Sequence, residues 1–350
     1  MTSVKEINVE EAATAAALGR GSFYFTDDYS VFDWGRMPDP IPDKGASLCT
    51  MGAYNFELLE AEGLATHYRG VIPDDNAVGG DGASPVEPRS LSEVEDPPRT
   101  MAIDLARVPD LPHDGREYDY DAYHEAAGSN YVVPLEIVFR NTVPVGSSLR
   151  RRTEPADHGL DFGTWPDQHV ALDEPIVEFS TKYEESDRYL DRDEADRIAG
   201  DADVEGLVSL AQAVNWTVTD RADERGFRHE DGKIEVVYDD GDLLVADVVG
   251  TFDENRFAYD GQALSKEVLR QYHKRTQSEW VAAVDAAKEA AEERDVADWR
   301  TLCERDPAPL DDAVLGTVRD LYAAGTNAYV GRDLFDAPSI DDAVSALADL

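Results

Sequence analysis

Lysine is scarce in this chain, with seven residues in 350 against 25 arginines and 74 acidic side chains. Cysteine is scarcer still, at two. Cys49 and Cys303 are too few for a disulfide framework and lack the paired spacing of a zinc site, so both are expected as buried, reduced thiols. No apolar run approaches the roughly 20 residues that a membrane-spanning helix needs. The first residues carry no basic segment followed by an apolar core, so a cytoplasmic location is expected. Positive charge is short overall, and the formal net charge of −42 excludes general binding to a nucleic-acid backbone and disfavours an anionic membrane. Several nucleotide and hydrolase signatures are missing as well: there is no G-x-x-x-x-G-K-[ST] loop, no G-x-G-x-x-G, no G-x-S-x-G and no H-E-x-x-H. The seven histidines are scattered and read as structural or solvated.

What remains is enough to fold. Hydrophobic residues make up 42% and aromatics 9% of the chain, which supports one large or two ordinary domains. Acid-rich, lysine-poor surfaces suit proteins that stay soluble in near-molar salt, where the Debye length shrinks to roughly 3 Å. The composition is therefore read as halophilic.

Along the chain, residues 1–18 suggest a short helix, and Phe23-Tyr24-Phe25 a strand. Helical periodicity covers residues 46–62 and stops at Gly63. Residues 73–100 are turn-rich and acidic, as expected of a mobile surface insertion, and residues 153–174 suggest a second one. Between them, residues 131–140 read as one strand with Leu135, Ile137 and Phe139 on one face and Glu136, Val138 and Arg140 on the other. Residues 204–225 form an amphipathic helix closed by Gly226. A hairpin follows, then a long helix over about 265–293 and a helical tail from Pro309. The irregular mixture of strands and helices indicates α+β, with no internal repeat.

The hairpin carries the first candidate site. Residues 233–238 and 242–249 flank Asp239-Asp240-Gly241, and a three-residue loop would pair Glu235 with Val245 and Lys233 with Asp247. Asp231, Lys233, Glu235 and Asp247 then share a face, where Glu235 and Asp247 are placed to hold Mg²⁺ between nucleotide phosphates. A two-residue Asp240-Gly241 loop would swap faces and turn Asp247 away. In a chain this acidic, a plain solvated face has the same appearance. The second candidate is the run from Arg140 to Arg152, R-N-T-V-P-V-G-S-S-L-R-R-R. Guanidinium forks, hydroxyls and a glycine turn suit a phosphomonoester. The alternative is arginines that bridge surface carboxylates.

Four blocks in order resemble the SAICAR synthetase family of purine biosynthesis: TDDYSVFD with IPDKG (26–33, 41–45), VPLEIVFR…GS (133–147), EPIVEFSTK (174–182) and DGKIE…LLVADVVGTFDENRF (231–257). The resemblance implies a two-lobed α+β fold with antiparallel sheets and flanking helices, ATP bound between the lobes. Residues 1–132 would form a nucleotide-covering lobe and 133–350 the larger substrate lobe. It implies ATP and Mg²⁺ as cofactors and a reaction that joins L-aspartate to the carboxylate of carboxyaminoimidazole ribotide (CAIR) through an acyl phosphate. Carried over by position, Lys233, Lys182 and Asp187 would be catalytic. Arg140, Ser147 and Arg256 would bind the ribotide phosphate, with Ser30, Asp33 and Lys44 closing the substrate site. Gly19, Arg20, Val133 and Glu136 would contact the nucleotide, and Glu235 and Asp247 the metal. The partners implied are small molecules, with a homo-oligomer left open.

This chain departs from the family pattern at Gly19-Arg20-Gly21-Ser22, where a G-K-x-[KR] turn is usual. Further departures are Asp28 in the T/S-D-R block and Val248 after the second hairpin strand. These departures motivate two alternatives, a related carboxylate–amine ligase with other substrates and a non-catalytic nucleotide-binding paralogue.

Overall fold

The computed structural model describes residues 4–73, 87–184, 188–294, 296 and 298–350. Strands β1 (Lys5–Glu11), β2 (Gly19–Phe25), β3 (Tyr68–Ile72) and β4 (Thr100–Leu105) make an antiparallel sheet in the order β1-β2-β4-β3. β1 corrects the helix expected over residues 1–18. Lys5, Ile7 and Val9 alternate with Glu6, Asn8 and Glu10, a period of two, and the ladder with β2 runs from Lys5↔Phe25 to Glu11↔Arg20. The alanine-rich run that suggested helix is the connection between these strands; sheet pairing outweighs local propensity here.

Helix α1 (Lys44–Ala61) occupies the place expected for it and buries Leu48, Met51, Phe56 and Leu59. Gly63 follows with φ 83°, a conformation that suits glycine after a helix end. Of the expected insertion, residues 74–86 lie outside the described residues. The remainder is anchored, since Leu91 and Val94 are buried in the main core and Arg332 donates hydrogen bonds to their carbonyl oxygens at 2.8 and 2.7 Å.

A short β5–β6 ladder (His113–Asp114, Glu117–Tyr118) and helix α2 (Tyr120–Ala127) lead to β7 (Asn130–Val132) and β8 (Leu135–Val143). The single strand expected over 131–140 is split at Pro134, which cannot donate to a ladder. The alternation holds, and Leu135, Ile137 and Phe139 are fully buried. Helix α3 (Leu149–Arg152) and β9 (Val170–Thr181) follow, so the second expected insertion ends as a strand and also contains a 3₁₀ turn at Pro155–His158. Next come β10 (Tyr189–Leu190), α4 (Arg192–Ala199) and α5 (Val204–Glu224). The larger sheet runs β10-β9-β8-β11-β13-β14, built around β11 (Phe227–Asp239), β13 (Asn255–Tyr259) and β14 (Gln262–Ala263). β12 (Asp242–Ala246) and β7 pair with the far half of β11.

The long helix expected over 265–293 is two helices, α6 (Glu267–Thr276) and α7 (Ser278–Arg294), broken at Gln277 with φ −126° and ψ 42°. α8 (Asp312–Val330) and α9 (Ile340–Ala346) complete the tail. Cys49 is buried and Cys303 only partly so, and neither is in a disulfide. Among the described residues no helix is long and apolar enough to cross a membrane.

Candidate active site

β11 changes partners along its length. Asp231 to Ile234 pair with Arg140 to Ile137 of β8, whereas Glu235 to Asp239 pair with Ala246 to Asp242 of β12. Ile234 and Val236 are buried, so Asp231, Lys233 and Glu235 share the opposite face. At a rise of 3.3 Å per residue, Asp231 and Glu235 stand about 13 Å apart along that face.

The hairpin register differs from the one expected. Asp239 pairs with Asp242, so the loop is the two-residue Asp240-Gly241 turn, with φ of 49° and 105°. Positive φ at both positions matches the twist of a tight hairpin. That register alone would turn Asp247 away from Lys233. Instead the ladder stops at Ala246, and Asp247 adopts a left-handed φ of 64°. Its carboxylate thereby returns to the site and pairs with Lys5 of β1.

Three ammonium groups and four carboxylates meet here. Lys182 pairs with Glu235, and Lys233 pairs with Glu136 while lying 3.3 Å from Glu254 and 3.9 Å from Glu235. Lys5 Nζ also sits 4.6 Å from the centre of the Phe23 ring. Burial and the Asp247 charge raise the Glu235 carboxyl above its ordinary range, partly offset by Lys182 and Lys233. For Asp247 burial works upward, but Lys5 and Lys182 prevail and bring it down to about 2. Burial depresses Lys233, yet Glu254, Glu136 and Glu235 hold it well above the usual lysine range. Lys182 is raised in the same way, with Glu235 and Asp247 overcoming burial.

Among the described residues no group of three or more His, Cys, Asp or Glu forms a metal-binding cluster. Two carboxylates nonetheless fit Mg²⁺, which completes its shell with phosphate and water oxygens. The mutual repulsion of Glu235 and Asp247 is what a divalent cation between them would relieve.

The second candidate lies further along the same β11 face. Arg140 donates to Glu178 at 2.6 Å, to the Tyr189 hydroxyl at 3.0 Å and to Asp231, its cross-strand partner, at 3.4 Å. Arg256 grips the other side of Asp231, with its Nε at 2.7 Å. Arg152 reaches Glu178 at 2.7 Å and lies over the Tyr189 ring at 3.4 Å. Two carboxylates thus hold three guanidinium groups in one network, with Arg140 buried, Arg256 half-buried and Arg152 at the exposed rim. Ser147 is buried at the turn after β8, where its hydroxyl accepts from the Leu149 amide at 3.3 Å.

The remaining expected residues scatter. Lys44 is wholly buried against Asp253 at 2.7 Å, one residue before Glu254. Ser30 is half-buried between β2 and α1. Asp33 is exposed and pairs with Lys288 of α7 at 2.5 Å. Gly19 and Arg20 open β2 opposite Leu105 and Asp104. The Val133 side chain is buried and its amide donates to the Val236 carbonyl at 2.8 Å. Asp187 lies outside the described residues. Sequence reasoning missed Lys5, Glu254, Asp253, Lys266 and Glu178, while Arg152 falls in the arginine run it singled out. One available signal was rarity, because five of the chain's seven lysines (Lys5, Lys44, Lys182, Lys233 and Lys266) fall in two adjacent carboxylate clusters.

Comparison with known proteins gives a consistent result. A family model described as SAICAR synthetase matches residues 19–287. A protein of Archaeoglobus fulgidus, provisionally named phosphoribosylaminoimidazole-succinocarboxamide synthase, is 42% identical across 100% of this chain and 99% of its own length. Among solved structures, the SAICAR synthase of Saccharomyces cerevisiae complexed with SAICAR superposes with a TM-score of 0.61 at 19% identity, covering 95% of this chain and 93% of that one. A SAICAR synthetase in complex with ADP gives 0.52 at 23% identity, covering 77% and 88%.

Proposed function

The chain belongs to the SAICAR synthetase family, and we propose that its reaction runs at the cluster around Lys233. It is an ATP-dependent carbon–nitrogen ligase that joins L-aspartate to the carboxylate of CAIR, giving SAICAR, ADP and phosphate in purine biosynthesis. The observation that carries the placement is the return of Asp247, by its left-handed backbone, to a face already holding Lys233 and Glu235.

In this reading Arg140, Ser147 and Arg256 bind the ribotide phosphate, whose charge competes with Asp231 and Glu178 for the guanidinium groups. The imidazole carboxylate then lies toward Lys233. A carboxylate oxygen of CAIR attacks the γ-phosphorus of ATP and ADP leaves, forming an acyl phosphate. The amine of L-aspartate attacks the acyl carbon, and phosphate departs with that carboxylate oxygen and the amine's proton. Lys233, Lys182 and Lys5 neutralise the charge that builds on the transferred phosphoryl group. Glu235 and Asp247 would hold Mg²⁺, which supplies further neutralisation on the nucleotide phosphates.

Adenine lies between a lobe of residues 1–132 and one of 133–350, near the Val133 main chain and Glu136 and beneath β2 with Gly19 and Arg20. Ser30 helps close the substrate site. The Asp33–Lys288 pair is on the outer side and is left out of the reacting centre. The proposed location is the cytoplasm, at high salt.

The test is purified protein in molar KCl with Mg²⁺-ATP. Phosphate release should require CAIR and L-aspartate together. Absence of succinocarboxamide product under those conditions would rule the ligase reading out.

A further inference from the structure

Residues 253–256 run from the turn before β13 into its first two residues, and each side chain goes to a different part of the molecule. Asp253 is buried, receiving Lys44 Nζ at 2.7 Å and the Tyr322 hydroxyl at 2.7 Å, with Lys266 at 3.9 Å. Glu254 faces Lys233 at 3.3 Å. Asn255 meets His229 Nε2 at 2.8 Å, and its Oδ1 accepts from the Gly250 amide at 3.1 Å. Arg256 grips Asp231. Within four residues the chain therefore touches α1 and α8 behind it and both candidate subsites in front.

Lys44 and Tyr322 differ from the other groups of the site, because both are fully buried and have no surface to offer a ligand. A carboxylate in such a place is held by all its partners or costs stability, so the Lys44–Asp253–Tyr322 contact has one geometry. Free rotation of Glu254 about its backbone would leave Lys233 with Glu136 and Glu235 alone. An anchor immediately before it removes that freedom.

We infer that Asp253, clamped by Lys44 and Tyr322, is a positioning residue that fixes Glu254 against Lys233 and sets the start of the strand carrying Arg256. Lys44 then serves the reaction through Asp253 rather than by touching substrate. This inference rests on the placement of the reaction at Lys233.

The test is Tyr322→Phe, which removes one donor from Asp253 and leaves the ring in place, compared with Glu254→Gln and the double variant. Tyr322→Phe should lower kcat about tenfold with the KM for ATP within twofold, since small misplacements of reacting groups are costly. In the Glu254→Gln background the same substitution should change kcat less than twofold, because both changes remove one arrangement. Amide hydrogen exchange of residues 250–256 should quicken in Tyr322→Phe, and that readout does not depend on turnover.

A kcat per folded molecule equal to wild type, an equal kcat loss in both backgrounds, or unchanged exchange in the turn would each overturn the anchor. If the wild-type protein itself makes no product, the ligase reading falls and the exchange result alone decides whether the anchor exists.

Discussion

The carboxylate of Asp247 pairs with the ammonium of Lys5, which lies 242 positions earlier in the chain. β1 and the end of β12 thereby close over the same site, and the edge strand of the small sheet contributes a charged group to the large one. Lys5 also lies outside the span matched by the family model, residues 19–287.

Replacing Lys5 should therefore impair the reaction although the family model does not reach it. Lys5→Met is expected to lower turnover roughly 10²-fold, the scale of one lost transition-state charge contact. Circular dichroism should show a folded protein. Turnover at the wild-type level would mean that the Lys5–Asp247 pair takes no part in the reaction.

Lys233→Ala and Asp247→Asn test the face itself. Each should cut turnover by at least roughly 10²-fold while the fold persists. Either variant at full rate would place the reaction elsewhere.

The legible part of this site was its pattern of types. Lys233, Glu235 and Asp247 were readable as a group, yet the register first drawn for them was one residue off. The left-handed φ of Asp247 restores the face, and nothing in an alternating pattern announces a backbone reversal at a strand end. β1 was misread because the alanines of residues 12–17 outweighed the short alternation before them. The break at Gln277 left no signal, since glutamine is an ordinary helix residue and tertiary packing decides there. The buried alternation of Leu135, Ile137 and Phe139 and helix α5 were plain because each has a strong periodicity, although the single strand read over 131–140 is two strands.

Buried histidines give a pH prediction. Burial lowers His67, His229 and His273 to about 4 each. The unfolded chain, with imidazoles near 6.5, binds more protons than the folded one between those values, so stability is present above pH 6.5 and is lost as pH falls toward 4. Denaturation midpoints measured from pH 7 to 4 should decline, and His229→Gln should flatten that decline. A flat profile in the wild-type protein would contradict the burial of neutral imidazoles.

Salt dependence follows from the net charge of −42. Dialysis from molar KCl to low salt should inactivate or unfold the protein, as screening of like charges is withdrawn. Unchanged unfolding temperatures across that range would remove the halophilic reading and leave the ligase reading standing.

The central claim is that the carboxylate of CAIR is phosphorylated at the Lys233 face before the amine arrives. CAIR labelled with ¹⁸O in that carboxylate, incubated with Mg²⁺-ATP and L-aspartate, should deliver one labelled oxygen to each phosphate released as SAICAR forms. Unlabelled phosphate, with product still appearing, would contradict an acyl-phosphate route.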